Sequence, residues 1–181
     1  LKKLPDLLSD RQNDILQCTD VMCFTEAYLT SQHNIDSFCQ KYRYQTFRLD
    51  IPSINAHRGQ HGVMICARHE LNGAKMDSID TEGLECKIVA LQAIQVIVVA
   101  VYRKPSFQME SFVNKFNTML RKLPDESPIV ILGDFNDDVS DEKESKLTKM
   151  MEDFGFKQLV RPLATDRVSL IDHIFYTRYE L

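Results

Sequence analysis

The sequence predicts an α/β sandwich, with two sheets packed face to face and helices on the outside, and three observations lead there. Extended apolar runs precede, separate and follow two amphipathic helical stretches. Two of those runs, Leu84 to Leu91 and Ala93 to Tyr102, are joined by too few residues for a crossover helix, so they pair antiparallel. Ile129 to Leu132 is a continuous β-branched and leucine run, the mark of a strand covered on both faces.

The elements follow in order. Leu4, Leu7, Leu8, Ile15 and Leu16 fall on one helical face, which predicts a first helix over Pro5 to Gln17. Val21 to Thr25 reads as a short buried strand. Tyr44 to Leu49 alternates, as does Val63 to Arg68 after Gly62, and both suit half-exposed strands. Phe112, Phe116, Met119, Leu120 and Leu123 recur at helical spacing before Pro124. Leu147, Met150, Met151 and Phe154 give another helix, closed by Gly155 just past its end. Phe156 to Val160 and Leu170 to Tyr176 are the last expected strands.

A chain of 181 residues, 44% of them hydrophobic, suffices for one domain and shows no composition shift that would mark a second. The longest apolar run, Ala93 to Tyr102, falls well short of a membrane span, so a soluble protein without a membrane partner is expected. Five cysteines, odd in number and without CxxC spacing, argue for free thiols and an intracellular, reducing compartment rather than a disulfide frame or a zinc site. Leu1-Lys2-Lys3-Leu4-Pro5 is neither an initiator nor a leader, which suggests a piece of a longer chain.

The net charge of −4 gives no simple nucleic-acid footprint, but the charge is unevenly spread. Lys41 to Glu70 carries Lys41, Arg43, Arg48, Arg58 and Arg68 against Asp50 and Glu70, whereas Asp125 to Glu144 carries eight acids and one lysine. Carboxylates suit a divalent cation and basic rims suit phosphates, although two solvated loops of unlike charge would look the same.

Four polar residues stand at or near the ends of expected strands: Glu26, Tyr102, Asp134 and Asp172. Strand ends are where rigid scaffolds present reactive groups. Asp134 and Asn136 leave one apolar strand two residues apart and point to the same side if the extended geometry continues. An acceptor-only carboxylate beside an amide can hold a water and a phosphate oxygen together. An ordinary Asx turn would use the same Gly133-Asp134-Phe135-Asn136 text, and the tetrapeptide alone does not decide.

Taken in order, Thr25-Glu26 after a strand, Val101-Tyr102-Arg103-Lys104-Pro105, Gly133-Asp134-Phe135-Asn136 and Ser169-Leu170-Ile171-Asp172-His173-Ile174 resemble the motifs of the endonuclease/exonuclease/phosphatase superfamily. The resemblance runs almost the whole chain and implies a DNase I-like four-layer sandwich. Cys23-Phe24-Thr25-Glu26-Ala27-Tyr28-Leu29 and Ala164-Thr165-Asp166 look most like endonuclease domains of mobile elements, either non-LTR retrotransposons or Helitron helicases.

That resemblance implies Mg²⁺ or Mn²⁺ held by Glu26, an attacking water oriented and deprotonated by Asp134, and a scissile phosphate contacted by Asn136 and Tyr102. It also implies that Asp172 orients a histidine of the site and that Thr165 assists near the phosphate. Arg103 and Lys104 beside Tyr102 are expected on the DNA backbone, and His61, before Gly62 at a strand edge, is a candidate substrate contact, with an ordinary surface histidine as the alternative. Asp172 and His173, being neighbours on a strand, cannot both face the site.

The implied partner is DNA, the location nuclear, the state monomeric, and the chain a transposable-element nuclease attached to a helicase or reverse transcriptase. Two pieces of the pattern, an asparagine on a first strand and a Ser-Asp-His on a last strand, are not in the sequence. The 181 residues are therefore expected to be a single domain lacking its first and last strands, with weak or no activity alone. A phosphomonoesterase or inositol-phosphate phosphatase of the same fold, and a decayed domain that binds nucleic acid or protein, are the alternatives.

Overall fold

The computed structural model describes residues 17–51, 61–81, 83–138, 145–160 and 171–177. The elements among them are β1 (Val21–Phe24), α1 (Asp36–Tyr42), β2 (Tyr44–Leu49), β3 (Val63–Arg68), β4 (Gly73–Thr81), β5 (Leu84–Leu91) and β6 (Val96–Arg103). There follow α2 (Met109–Leu120), β7 (Ile129–Asp134), α3 (Lys146–Asp153), β8 (Phe156–Gln158) and β9 (Asp172–Thr177). All but Gln17 of the expected helix over Pro5 to Gln17 lies outside the described residues, as does Thr165.

Two sheets form. The smaller has strand order β1-β3-β2 and the larger β4-β5-β6-β7-β9-β8. The expected antiparallel pair is present as β5 and β6, and β7 joins β6 in parallel, with α2 as the crossover. Strand alternation then sorts the side chains into layers. Val63, Ile65 and Ala67 of β3 meet Val89, Leu91, Val98 and Ala100 of the large sheet between the two sheets. The opposite face of the large sheet packs Val99, Val101 and Ile131 under Phe112, Phe116, Leu147 and Met151 of α2 and α3. Met64 and Cys66 face outward from the small sheet to Tyr42 of α1. The order is therefore helix, sheet, sheet, helix.

One expectation changes, and two elements appear that were not expected. Val63 to Ala67 is buried at every residue rather than half-exposed, because β3 is the central strand of its sheet and apolar layers cover both its faces. Strand β4 and helix α1 carry no strong signal in the sequence. The first is an edge strand with mostly exposed or half-exposed residues and a register shift between Lys75 and Ser78, and the second spans only seven residues.

α3 ends as expected. Ser145 caps its start by accepting from the Thr148 N–H at 2.9 Å, and Gly155 follows the end at φ +77, where a left-handed residue lets the chain turn away. All five cysteines are free, and burial pushes the Cys23, Cys66 and Cys86 thiols up to about 12. Among the described residues no helix is long and apolar enough to cross a membrane.

Candidate active site

Register builds the site. Glu85 pairs with Tyr102 across β5 and β6, Tyr102 with Asp134 across β6 and β7, and Asp134 with Asp172 across β7 and β9. Residues paired across a sheet point to the same face, and here that face is the one turned toward the small sheet. A row of three carboxylates and a phenol thus crosses four strands at one edge of the sandwich. Glu26, just past β1, and His61, just before β3, come to the row from the small sheet.

The contacts close the constellation. The Tyr102 hydroxyl donates to Glu26 Oε1 at 3.1 Å, and His61 Nδ1 lies 2.9 Å from that same oxygen. A carboxylate only accepts, so the imidazole Nδ1–H is the donor, and the Tyr28 hydroxyl sits 2.9 Å from the same nitrogen. Glu85 holds this corner from behind. Its two oxygens accept the backbone N–H groups of His61 at 2.8 Å and Gly62 at 2.6 Å, and burial raises its carboxyl above the usual range despite those bonds.

Gly133 fixes how Asp134 is delivered. A Cβ at this glycine, where φ is +150, would lie 1.8 Å from the Val101 carbonyl oxygen, so no other residue lets β7 approach β6 so closely. The next three residues divide their work. Phe135 is fully buried and stands edge-on to Phe112 and Phe116 at ring distances of 6.0 and 6.1 Å, anchoring the turn in the core. The strand does not continue in extended form as expected, because Asn136 is left-handed at φ 48. Asp134 and Asn136 are joined instead by an Asx turn, with the Asn136 N–H donating to Asp134 Oδ1 at 2.9 Å. The turn reading and the site reading therefore describe one structure, and the turn consumes only Oδ1.

Arg103 is a correction. Its neighbour Tyr102 faces the site, so strand alternation sends Arg103 to the opposite face, where it is 5% exposed. Its guanidinium donates to the carbonyls of Phe107, Phe135 and Asn136, while the Asn136 side-chain amide donates back to the Arg103 carbonyl at 2.7 Å. It braces the turn from inside rather than standing on a DNA-facing rim. Lys104 remains half-buried at the strand end.

Asp172 is exposed, whereas His173 is buried, its ring nitrogens 2.8 Å from Gln158 Nε2 and 2.7 Å from the Asp137 carbonyl. The neighbours do point apart. Sequence reasoning passed over Glu85, although a glutamate and a lysine within the apolar run Leu84 to Leu91 are the anomaly that marks a buried charge.

Electrostatics says what the site can hold. Burial raises the Asp134 carboxyl above the usual range; the Asn136 N–H opposes this, and the charges of Asp172 and Glu26 add to it, with Arg103 opposing. Burial and then Glu26 push the Tyr102 hydroxyl well above the ordinary tyrosine range, so it stays protonated. Among the described residues no three His, Cys, Asp or Glu side chains form a chelating cluster. That does not suit an ion caged by protein ligands. It does suit Mg²⁺, which takes one or two carboxylates and keeps its waters, and Glu26 offers such a carboxylate at the end of the row that holds Asp134.

The pattern of the endonuclease/exonuclease/phosphatase family matches residues 1–181. The chain belongs to that family. Solved structures agree on the fold. The endonuclease domain of TRAS1, a telomere-specific non-LTR retrotransposon, superposes with a TM-score of 0.65 at 15% identity, over 93% of this chain and 76% of that one. A 3′ phosphatase, NExo from Neisseria, solved with a product DNA hairpin, gives 0.64 at 17% identity over 97% and 83%. An AP endonuclease from Archaeoglobus fulgidus gives 0.59 at 13% identity over 92% and 78%. No curated protein sequence matches the chain. Family membership makes the DNase I-like sandwich the expected architecture, and the two sheets follow it.

Proposed function

We propose that this family member is a Mg²⁺- or Mn²⁺-dependent endonuclease that hydrolyses DNA phosphodiester bonds, the nicking domain of a mobile-element-derived protein. The observation that carries the reading is the row Tyr102, Asp134 and Asp172 on one sheet, facing Glu26 from the other. Likeness to a retrotransposon endonuclease domain supports the mobile-element part. A helicase or reverse transcriptase attached to the same protein, a monomeric state and work on nuclear DNA belong to the same proposal.

Glu26 would hold the cation through its carboxylate. When bound, the cation neutralises charge that gathers on the phosphate during attack and eases ionisation of a nearby water. Asp134, with one oxygen fixed by the turn, would orient the attacking water and take its proton. The Asn136 amide and the protonated Tyr102 hydroxyl would donate to oxygens of the scissile phosphate. Asp172 would orient a histidine of the site, Thr165 would assist at the phosphate, and Lys104 and His61 would contact substrate.

Phosphomonoester hydrolysis by the same groups is the second reading, because a 3′ phosphatase shares the fold to nearly the same degree. The test is single-turnover nicking, with protein in excess over supercoiled plasmid so that slow cleavage registers. Conversion to nicked circles that needs Mg²⁺ and disappears in Asp134→Ala supports the endonuclease. Release of phosphate from a 3′-phosphorylated or inositol substrate, with the plasmid left intact, would replace it by the second reading.

A further inference from the structure

We infer that Tyr28 is a stacking platform for an unpaired nucleobase of the strand being cut, beside the site that handles the phosphate. The inference rests on the reading of that site as a nuclease. Tyr28 is one of few large hydrophobic side chains left in water among the described residues, at 49% exposure, and it is not loose. Its hydroxyl is tied to His61 Nδ1 at 2.9 Å, and its backbone N–H donates to the His61 carbonyl at 2.8 Å. Both ends of the residue are therefore fixed while the ring remains exposed.

The loop that carries it is pinned along its length. Ala27 N–H donates to the Gly62 carbonyl at 3.0 Å, Ile51 N–H to the Leu29 carbonyl at 2.8 Å, and the Arg48 guanidinium to the carbonyls of Thr30 and His33 at 2.7 and 2.9 Å. Glu26 and Tyr28 both sit in the left-handed region, at φ 51 and 50, a conformation that non-glycine side chains adopt rarely and that persists only where surroundings enforce it. The surroundings enforce it here, and the result is a flat ring held out to solvent two residues after the expected cation ligand.

The rings continue inward. Tyr28 lies against His61 at 5.4 Å, and His61 against Tyr102 at 4.8 Å, leading from the exposed ring to the phenol of the active-site row. A nucleotide presents its base one sugar away from its phosphate, which matches a platform one side chain away from Glu26. Because the Tyr28 hydroxyl is turned inward, the outer ring offers only a π face, which stacks on any base without reading its edge. The ligand class is thus an unstacked base, at a loop, end or opened duplex, with little preference among the four.

The test compares oligothymidylate with an abasic oligomer of equal length, by fluorescence anisotropy with Ca²⁺ as the oxygen-seeking cation. The wild-type protein is expected to bind the base-bearing strand more tightly. Tyr28→Ala should weaken that strand on the order of 5- to 150-fold, the scale of one lost base stack, and leave the abasic strand within about twofold. Tyr28→Phe, which keeps the ring, should stay close to wild type.

A bromodeoxyuridine oligomer irradiated with unmodified protein should crosslink at Tyr28, a readout that needs no variant to fold. Equal binding of the two strands by wild type, or equal weakening of both by Tyr28→Ala, would overturn the platform while leaving the nuclease reading intact. If neither strand binds, the nuclease reading falls and the platform falls with it.

Discussion

Replacing Arg103 by alanine should unfold the active-site turn rather than merely weaken a DNA contact, and the size of the effect separates the two roles. The guanidinium donates to three carbonyls at a site 5% exposed. Hydrogen bonds to charged groups contribute about 1.5–3 kcal/mol each. At the low end three of them total about 4.5 kcal/mol, and truncation also removes the cost of keeping the cation out of water. Three carbonyls left short of a donor cost about 1–3 kcal/mol each, which leaves a net loss of about 3–5 kcal/mol.

For a chain of this length each kcal/mol shifts the melting temperature by roughly 2–4 °C, so Arg103→Ala should lower it by roughly 6–20 °C. Lys104→Ala, one residue away, should change stability by less than about 0.5 kcal/mol. Calorimetry reads both. If Arg103 were a phosphate contact, Arg103→Ala would keep its melting temperature and reduce the salt dependence of DNA binding by about one unit of slope. That result would refute the bracing role.

Two other predictions probe the same frame. Gly133→Ala should cost about 3–5 kcal/mol by urea denaturation, because its Cβ meets the Val101 backbone at 1.8 Å. Gly155→Ala, also at positive φ but with nothing within 4 Å, should cost only about 1 kcal/mol. Equal effects would mean that strain alone, and not close approach, sets the glycine before Asp134. Glu85 has a carboxyl raised by burial, so the folded state binds its proton more tightly than the unfolded state does. Its contribution is full below the ordinary glutamate value of about 4.3 and is lost as pH rises through the folded value. The stability advantage of wild type over Glu85→Gln should therefore shrink upward through that window, and an advantage that grew with pH would contradict the assignment.

What the sequence revealed depended on whether burial was written into local pattern. Helices α2 and α3 were legible because their apolar residues recur at the helical period, and strand β7 because its apolar run is unbroken, as in a strand covered on both faces. Edge strand β4 was not, since its outward residues are polar and only pairing with β5 keeps it extended. The site's acids could be found at strand ends, because carboxylates there need solvent, a cation or a partner. The Asx turn that joins Asn136 to Asp134 was one of two readings of the tetrapeptide, but its bracing was not legible, because it depends on carbonyls gripped by Arg103. Arg103 itself misled, as arginines are mostly exposed and its neighbour Tyr102 belongs to the site. Glu85 is the same lesson reversed, a charge inside an apolar strand whose partners, two backbone N–H groups, have no sequence signature.

The central claim is that Glu26 and Asp134, delivered from different sheets, meet in one site, with the cation held at Glu26 beside Asp134. Titration of Mn²⁺ into the isotope-labelled chain tests it most directly, because the paramagnetic ion broadens nuclear resonances close to it whether or not any substrate is cut. The account predicts that the signals of Glu26, Asp134 and Asp172 broaden first and that Glu26→Gln abolishes the effect at all three. Broadening centred on the acidic stretch after Asn136, or a pattern untouched by Glu26→Gln, would contradict it.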